Sequence, residues 1–306
     1  MVKVFIDGSA GTTGLNVRER LSEYSGIEII NIPEELRKDI NARKQAINSS
    51  DVTFLCLPDD SARESVSLLE NDKTVIIDTS TAHRTLDNWA YGFPELKGQR
   101  EKIKNSKLIA NPGCHASGFI ALVHPLVECG ILKKDACLTA FSITGYTGGG
   151  KKMIKEYEEE NHPLYQAPRQ YGLSQKHKHI PEMMKMCKLE VAPCFCPIVS
   201  NFDRGMEVTI PLFKKDIKGN INDIKNAYKN LYTSKIVYFN EDPSENGFLS
   251  SVSLKGKDSL EISVHGSEEN ILLVARFDNL GKGACGSAIQ NLNVVLGLNE
   301  EKGLVL

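Results

Sequence analysis

The chain has no excess of charge of either sign and no long hydrophobic run. Its 37 Lys and Arg residues nearly balance its 39 Asp and Glu residues, which leaves a formal net charge of −2. A nearly neutral chain has no overall field that would attract nucleic acid or an anionic membrane. No apolar run reaches the ~18 residues that span a bilayer, and the first residues show no basic segment followed by an apolar one. We therefore expect a cytoplasmic protein that binds neither nucleic acid nor a membrane.

The chain also lacks the cysteine pattern of a disulfide scaffold or of a zinc site. Eight cysteines in 306 residues are too sparse for a small secreted framework, so we expect all of them to be reduced. Cys187, Cys194 and Cys196 are close in sequence, but no C-x-x-C pair is present and the flanking residues are typical of a strand. His177 and His179 lack a third ligand nearby, so we predict no metal.

Length and composition fit about two globular domains. The chain is 41% hydrophobic and 25% charged, and ~150 residues is a usual domain size. In the first 110 residues, short apolar runs alternate with helical patterns, which predicts an α/β fold with a Rossmann-like, doubly wound parallel sheet. The predicted strands cover residues 2–6, 27–32, 52–57, 74–78 and 107–110.

The second half has longer amphipathic strands mixed with helices, which is typical of an α+β domain with a mostly antiparallel sheet. From residue 283 onward, apolar residues recur at helical spacing, so we expect a C-terminal helix that belongs to the first domain. We predict a dinucleotide-binding domain of residues 1–113 with 283–306, and a catalytic and oligomerisation domain of residues 114–282. An exposed antiparallel sheet in the second domain predicts a homodimer or homotetramer.

A glycine-rich turn directly follows the first predicted strand and leads into an amphipathic helix. Glycines let the backbone approach a pyrophosphate, and the helix N-terminus supplies N–H groups and a favourable dipole. The position of the turn at the start of an alternating chain favours a dinucleotide site over an ordinary tight loop. The predicted cofactor-binding residues are Gly8, Ser9, Ala10, Gly11, Thr12, Thr13 and Gly14.

The residues after the second predicted strand bear on the choice between NAD and NADP. An acid at this position binds the ribose 2′-hydroxyl, whereas a base accepts the 2′-phosphate. This chain offers both signs, because Glu34 and Glu35 are followed by Arg37 and Lys38. We predict NADP(H), bound by the two bases. The alternative is that these residues form an ordinary solvent-exposed helix start, where acids come first and bases later, with no role in cofactor binding.

Cys114 differs from the other cysteines in its neighbours. The preceding Asn-Pro-Gly at residues 111–113 forces a turn between a predicted strand and a predicted helix. A thiol at such a junction, where backbone N–H groups converge, loses its proton more readily and can attack a carbonyl. Free cysteines are more often small buried hydrophobes, but this turn favours a nucleophile.

A thiolate nucleophile needs an acid/base group nearby, and histidine suits neutral pH best. His177 and His179 lie in a polar loop and are followed by Glu182. If the segment is extended, the two histidines face opposite ways and only one reaches Cys114. We predict that one of the pair is the acid/base group, with a preference for His177, and that Glu182 orients it. His115 is expected to point away from the thiol.

Two further stretches can bind anions. The glycine-rich turn around Gly148 and Gly149 precedes a predicted helix and can hold a carboxylate or phosphate through its N–H groups, although a flexible loop gives the same pattern. Arg84 follows a predicted strand of the first domain, at the edge where open α/β sheets bind ligands. Its guanidinium can pair with a substrate phosphate.

Together these motifs resemble those of the short-type family of N-acetyl-gamma-glutamyl-phosphate reductases, within the wider group of aspartate-semialdehyde and glyceraldehyde-phosphate dehydrogenases. The similarity runs nearly from end to end, which makes it far more specific than any single motif. It rests on residues 7–14, 56–60, 78–84, 91–96, 111–114, 148–152, 177–179 and 279–284.

The resemblance implies an NADPH-dependent reduction of N-acetyl-L-glutamyl 5-phosphate to the 5-semialdehyde and inorganic phosphate, a step of arginine biosynthesis. Cys114 would attack the acyl phosphate to form a thioester, and a histidine of the 177/179 pair would transfer protons. The matching motifs add Pro58, Ser80 and Lys282 as cofactor-binding residues and Asn111 as a substrate-binding residue.

One segment departs from the family pattern. Where the family has Asn-Phe-Arg-Gln-Gly-Met, this chain has Asn-Phe-Asp-Arg-Gly-Met at residues 201–206. Arg204 is the substrate-binding candidate in this segment. Because the basic residue is shifted by one position, a related acyl phosphate stays open as the substrate, namely an aminoadipyl analogue or aspartyl phosphate. The alternative from another class is a non-enzymatic NADP-binding sensor with a fortuitous turn cysteine.

Overall fold

The computed structural model describes residues 1–160 and 162–306. The chain forms two compact units, the first consisting of Met1–Gly113 with Ala284–Leu304 and the second of Cys114–Gly283 with Val305–Leu306. Within the described ranges, no helix is both long enough and apolar enough to cross a membrane.

Strands and helices alternate through the first 113 residues. In chain order they are β1 (Val2–Asp7), α1 (Thr12–Ser22), β2 (Ile27–Ile30), α2 (Ile40–Ser49), β3 (Val52–Leu55), α3 (Asp59–Ser67), β4 (Val75–Asp78), β5 (Ala90–Tyr91), α4 (Gln99–Lys104) and β6 (Leu108–Ala110).

These strands form one sheet in the order β2-β1-β3-β4-β6-β5, with every neighbouring pair parallel. The predicted parallel sheet is thus confirmed. The order reverses at β1, which has β2 on one side and β3 on the other. Such a switch point opens a crevice at the carboxyl ends of the strands, where open α/β sheets bind ligands.

The second unit begins with a long helix and contains a larger sheet. Its elements are α5 (Cys114–Glu128), β7 (Thr139–Gly145), α6 (Gly150–Glu159), β8 (Arg169–Gln170), α7 (Ile180–Cys187), β9 (Cys194–Ser200), β10 (Met206–Phe213), α8 (Ile221–Leu231), β11 (Val237–Phe239), β12 (Leu260–Gly266) and β13 (Asn270–Phe277). The sheet order is β11-β12-β13-β10-β7-β9-β8. Neighbouring strands are antiparallel except in the pairs β11/β12 and β7/β9, so the mostly antiparallel prediction also holds.

The final helix, α9 (Gly286–Val295), belongs to the first unit. Side chains of the parallel strands alternate between two apolar cores. Phe54 and Ile77 pack with α1 and α9, whereas their neighbours Leu55 and Ile76 pack with α2 and α3. Helices therefore cover both faces of the sheet, which is why these strands read in the sequence as continuous apolar runs.

Helix α5 forms the centre of the second unit. It is buried almost all round and packs against β10, β13, α7 and α8. A Cβ atom on Gly118 would lie 2.6 Å from Val208 Cγ2 and 2.8 Å from Phe277 Cε1. The glycine thus lets the helix approach the sheet closely, and this contact fixes the start of the helix where Cys114 lies.

A proline inside α5 is compensated by a tyrosine at the C-terminal end of α8. Pro125 has no N–H, so the carbonyl of Ala121 loses its helical hydrogen bond. The Tyr232 hydroxyl donates to that carbonyl at 2.8 Å, and the Tyr228 hydroxyl donates to the next carbonyl, that of Leu122, at 2.6 Å. The buried carbonyls are thereby satisfied.

Candidate active site

Cys114 is the first residue of α5 and is partly exposed. The positive end of the helix dipole and the N–H groups of the first turn favour a thiolate at this position. A Cβ atom on Gly283 would lie only 3.0 Å from the Cβ of Cys114. The backbone at residue 283 therefore packs directly against the nucleophile, which limits where the thiol can move.

A cluster of rings surrounds the residue that follows the nucleophile. The ring of His115 lies 5.5 Å from that of His177 and 5.6 Å from that of His179, measured between centroids, and the two paired histidines are 4.8 Å apart. Phe195 and Tyr171 complete the cluster. His115 is the centre of this cluster.

Burial keeps two of these histidines neutral. Burial and the nearby His177 lower the pKa of His115 to about 3, and burial together with Lys178 lowers the pKa of His177 to about 4. His177 Nδ1 accepts a hydrogen bond from the backbone N–H of His179 at 3.2 Å. A neutral His177 then carries its proton on Nε2, so it can donate a hydrogen bond from that atom.

His179 and Glu182 stand at the start of α7. His179 is the N-cap residue and its carbonyl accepts from the N–H of Met183, while Glu182 lies in the first turn and is almost completely buried. The fixed start of α7 therefore positions the acid/base candidate His179 and the predicted orienting residue Glu182. Among the described residues, no group of three or more His, Cys, Asp or Glu side chains could hold a metal ion.

Asp278 organises the backbone next to the nucleophile. Its fully buried carboxylate accepts from the N–H groups of Gly256, Leu280 and Gly281. It also forms an ion pair with Arg204 at 2.9 Å. The substrate-binding candidate Arg204 is thus held by a buried carboxylate, while the adjacent Asp203 pairs with Lys255 at the surface.

The glycine-rich turn of the second unit is joined to this region. Gly148 and Gly149 lie in a short 3₁₀ turn between β7 and α6. The amide of Asn279 donates to Thr147 Oγ1 at 3.1 Å, and the N–H of Thr147 donates to the carbonyl of Asp203. The predicted anion-binding turn and the segment carrying Arg204 therefore form one hydrogen-bonded structure.

In the first unit, Arg84 and Asn111 are held together. Arg84 Nε donates to the carbonyl of Asn111 at 2.8 Å, and its Nη2 donates to the carbonyl of Thr79 at 2.9 Å. The Asn111 amide donates to the carbonyl of Ala284 at 3.0 Å. These bonds fix the orientation of the Arg84 guanidinium.

The turn after β1 meets the requirements of a dinucleotide site. Gly8 has a φ of +89°, and a Cβ there would lie 2.3 Å from the carbonyl oxygen of Cys56. A Cβ on Gly14 would lie 2.4 Å from the carbonyl oxygen of Gly8. Around Gly11, by contrast, the nearest protein atom would be 3.5 Å away. Packing within the protein thus explains why residues 8 and 14 are glycines. The open space around Gly11 instead fits the close approach of a pyrophosphate to the backbone. No side chain caps α1.

The remaining cofactor candidates are spread over the first unit, except Lys282. Pro58 precedes α3, Ser80 bonds to Asp78 next to β4, and Arg37 forms an exposed ion pair with Glu34 at 2.7 Å. Lys282 is fully buried in a π-helical turn, Gly281–Cys285, a type of turn frequent at functional sites. Ser9 and Ala10 lie in the turn between β1 and α1, and Thr12 and Thr13 are the first two residues of α1. Lys38 follows the short 3₁₀ turn Glu34–Leu36.

Sequence reasoning missed Tyr171 and Ser142. Tyr171 bonds to His115 Nε2 and Ser142 to His115 Nδ1. Neither residue lies in a motif, and the only indirect signal was the polar loop that contains Tyr171.

Comparison with known proteins identifies the family. The model described as semialdehyde dehydrogenase, dimerisation domain, matches residues 114–279, and the one described as semialdehyde dehydrogenase, NAD binding domain, matches residues 33–106. Proteins of Brucella ovis and Brucella abortus named N-acetyl-gamma-glutamyl-phosphate reductase are each 45% identical over 306 residues, covering 96% of this chain and 99% of theirs.

Solved structures share the fold at low sequence identity. Aspartate semialdehyde dehydrogenase II of Vibrio cholerae has a TM-score of 0.72 at 15% identity, covering 97% of this chain and 98% of that one. The Candida albicans aspartate semialdehyde dehydrogenase with NADP has a TM-score of 0.68 at 13% identity, with 97% and 98% covered. The matched NAD-binding domain shows that the first unit binds a nicotinamide dinucleotide. By its sequence relatives and its matched domains, the chain belongs to the N-acetyl-gamma-glutamyl-phosphate reductase family of semialdehyde dehydrogenases.

Proposed function

We propose that the chain reduces N-acetyl-L-glutamyl 5-phosphate to N-acetyl-L-glutamate 5-semialdehyde and inorganic phosphate with NADPH, a step of arginine biosynthesis. The observation that carries the proposal is the position of Cys114 at the N-terminus of α5, beside a cluster of histidines. That arrangement supplies a thiolate together with groups that can donate to an oxyanion.

The first half-reaction forms a thioester. The Cys114 thiolate attacks the acyl carbon of the substrate, and the carbon–oxygen bond to phosphate breaks, so that inorganic phosphate leaves with the electron pair. Backbone N–H groups at the start of α5 can steady the oxyanion of the tetrahedral intermediate. Arg84, held by the carbonyls of Asn111 and Thr79, and the turn containing Gly148 and Gly149 are the candidates for binding substrate anions.

The second half-reaction converts the thioester into the aldehyde. A nicotinamide cofactor, held by the turn after β1, would supply the hydride that adds to the acyl carbon. A histidine of the 177/179 pair protonates the resulting oxyanion and takes the proton back when the carbon–sulfur bond breaks, which regenerates the Cys114 thiolate. Glu182 would orient that histidine from the first turn of α7.

The reverse reaction tests the nucleophile. Phosphate- or arsenate-dependent reduction of NADP is measured with N-acetylglutamate semialdehyde, and then repeated with Cys114→Ser. The variant should lose activity by several orders of magnitude, while Cys137→Ser, at an exposed cysteine of the same unit, should retain it. Retained activity in Cys114→Ser would overturn the assignment. If aspartate or aminoadipate semialdehyde were turned over faster, that compound would replace N-acetylglutamate semialdehyde as the assigned substrate. If none of the three semialdehydes were turned over, the result would favour a non-enzymatic sensor.

The acid/base role is tested by His177→Asn and His179→Asn. General acid–base catalysis typically contributes about 100-fold or more. One variant is expected to lose at least that factor in kcat with a changed pH profile, and the other to keep most of its activity. Small and equal losses in both variants would contradict a proton-transfer role for the pair.

We also propose that the cofactor is NADP(H), with Arg37 and Lys38 on the 2′-phosphate. Support comes from the two bases that follow β2, the first of which is exposed. The double variant Arg37→Ala, Lys38→Ala should raise KM for NADPH about tenfold or more, with little change for NADH, since a charge-assisted phosphate contact is lost. Lys44→Ala, an exposed base paired with Glu70, is the matched control. Equal effects on both cofactors would contradict the assignment.

We further propose a homodimer or homotetramer, formed through the exposed face of the second sheet. In the strand register, Phe141 lies opposite Thr209 and Leu272 lies opposite Pro211, so the two apolar side chains share one face. They are 44% and 41% exposed. Light scattering on the double variant Phe141→Glu, Leu272→Glu should show monomers, and an unchanged mass would contradict this surface.

All eight cysteines are free, which supports a reducing compartment, the cytoplasm.

A further inference from the structure

A buried network of side chains lies directly before the glycine-rich turn. It joins Asp7, the last residue of β1, to Arg43 of α2 and Ser65 of α3, and all three residues are buried. Arg43 Nε and Nη2 lie 3.2 and 3.1 Å from Asp7 Oδ2, and Nη2 also lies 2.6 Å from Ser65 Oγ. Ser65 Oγ lies 2.7 Å from the same carboxylate oxygen. The end of β1 is therefore tied to both of the helices that follow it.

The chemistry of these groups fixes the direction of each hydrogen bond. A guanidinium only donates and an ionised carboxylate only accepts. Ser65 Oγ therefore accepts from Arg43 and has its own proton available for Asp7. The carbonyl of Ser61, at 3.0 Å, is the other acceptor near that proton. The carboxylate is both closer and charged, so it makes the stronger bond.

This network lies where its charge affects the cofactor. The first unit binds a nicotinamide dinucleotide, whose pyrophosphate is anionic, and the turn that begins at Gly8 is the candidate for holding it. A bare carboxylate at residue 7 would repel this anion over a short distance that water screens poorly. The guanidinium of Arg43 cancels the charge of Asp7. A buried ion pair adds little to stability compared with apolar residues of similar size, so an effect on the turn accounts better for its presence.

The backbone around Asp7 is fixed as well. The carbonyl of Asp7 accepts from the N–H of Cys56 at 2.8 Å. Because a Cβ on Gly8 would lie 2.3 Å from the carbonyl oxygen of Cys56, residue 8 is packed directly against the chain that follows β3. With the Asp7 side chain also held, the first residue of the turn has one position available to it.

We propose that Arg43 is a positioning residue for the dinucleotide, which neutralises the buried Asp7 carboxylate and, with Ser65, holds the start of the phosphate-binding turn in place. The remaining nitrogen of Arg43, Nη1, pairs with Glu64 at 2.5 Å, and the Glu64 side chain is 47% exposed. Water screens that second pair, so Asp7 is the partner whose charge Arg43 must offset. The inference rests on the proposed role of the turn in binding pyrophosphate, and it is independent of the acyl-phosphate reaction.

The test measures cofactor binding without turnover. Dissociation constants for NADPH and NADH are obtained from the fluorescence of the reduced nicotinamide, in the absence of substrate. Arg43→Gln leaves the buried carboxylate without its counter-charge and should raise both constants about tenfold or more. The two constants should rise equally, because both cofactors carry the same pyrophosphate.

A double variant separates the charge effect from a purely structural one. Asp7→Asn, Arg43→Gln removes both charges and should bring both constants back to within about threefold of those of the parent chain. A network that only maintained the fold would give the opposite order, because the double variant loses more of the native hydrogen bonds than Arg43→Gln does.

Milder variants keep the test decisive if Arg43→Gln does not fold. Ser65→Ala removes the hydroxyl between the two charges and should raise both constants about threefold. The matched control is Ser50→Ala, which removes another buried hydroxyl of the first unit. Ser50 Oγ lies 2.7 Å from Thr53 Oγ1 at the amino end of β3, the opposite edge of the sheet. This control and Glu64→Gln should leave both constants nearly unchanged.

The outcomes distinguish this inference from the proposed function. Unchanged constants in folded Ser65→Ala and Arg43→Gln proteins overturn the inference, as does a double variant that binds more weakly than Arg43→Gln. An equal rise in Ser50→Ala overturns it too, because it marks a general effect of lost hydroxyls. A rise for NADPH alone would place Arg43 at the 2′-phosphate and would also overturn it. The expected pattern in a chain that turns over none of the semialdehydes supports the inference and refutes the proposed reaction.

Discussion

Gly283 packs against Cys114 so closely that a Cβ on the glycine would lie 3.0 Å from the Cβ of the cysteine. The same Cβ would lie 3.1 Å from the carbonyl oxygen of Asp278 and 3.3 Å from Phe277 Cε2. Neither the helix that begins at Cys114 nor the buried Asp278 can move freely to make room. The glycine thus fixes the distance between the nucleophile and the turn that follows β13.

This relationship predicts the effect of Gly283→Ala. The added methyl group should displace the Cys114 side chain by a few tenths of an ångström, and overpacking should cost about 1–3 kcal/mol of stability. Because reacting groups must be held closely, we expect kcat to fall roughly tenfold or more. Steady-state kinetics and thermal unfolding measure the two effects. Full activity in this variant would show that the turn does not constrain the nucleophile.

The Asp278–Arg204 pair predicts a large stability difference between two neighbouring acids. Asp278→Asn leaves Arg204 without its buried anionic partner and should lower the free energy of unfolding by about 3 kcal/mol. Asp203→Asn breaks only a surface pair with Lys255 and should cost less than about 1 kcal/mol. Urea unfolding of both variants measures the difference. Equal losses would mean that the buried pair contributes no more than the exposed one.

The hydrogen bond from Tyr232 to the carbonyl left free by Pro125 predicts that Tyr232→Phe destabilises the protein. Without its hydroxyl, the buried carbonyl of Ala121 loses its partner, which should cost about 1–3 kcal/mol. Tyr238→Phe, at a half-buried tyrosine that bonds to Glu261 at 3.4 Å, should cost less than half as much. Denaturant unfolding gives both values, and a neutral Tyr232→Phe would show that the carbonyl finds another partner.

The neutral histidines predict how stability depends on pH. The pKa of His177 is lowered from 6.5 to about 4 and that of His115 to about 3, so below pH 6.5 the unfolded chain binds protons that the folded chain does not. Stability should therefore fall as the pH is lowered from 6.5 toward 4, by up to about 1.4 kcal/mol per pH unit for each histidine. Urea unfolding across this range should show a shallower slope for His177→Asn than for the parent chain. An identical slope would contradict a neutral, partly buried His177.

The parallel sheet could be predicted from the sequence, because strands buried on both faces must be apolar at consecutive positions, as in Val75, Ile76 and Ile77. The glycine-rich turn after β1 and the turn before Cys114 could be predicted as well, because these conformations depend on residues adjacent in the chain. The short strands β5, β8 and β11 carry too few residues to show a period, so their pairing is a result of the assembled sheets.

The residues that pack near the start of α5 could not be predicted from the sequence. Gly283, which packs against Cys114, and Tyr171, which contacts His115, are far along the chain from the residues they touch. Their proximity is produced by the packing of α5 against β10 and β13 and by the turn after β13. The ion pair of Arg204 with Asp278 depends in the same way on two distant segments. Local sequence sets backbone conformation, whereas the partner of a buried polar group depends on which distant segments pack together.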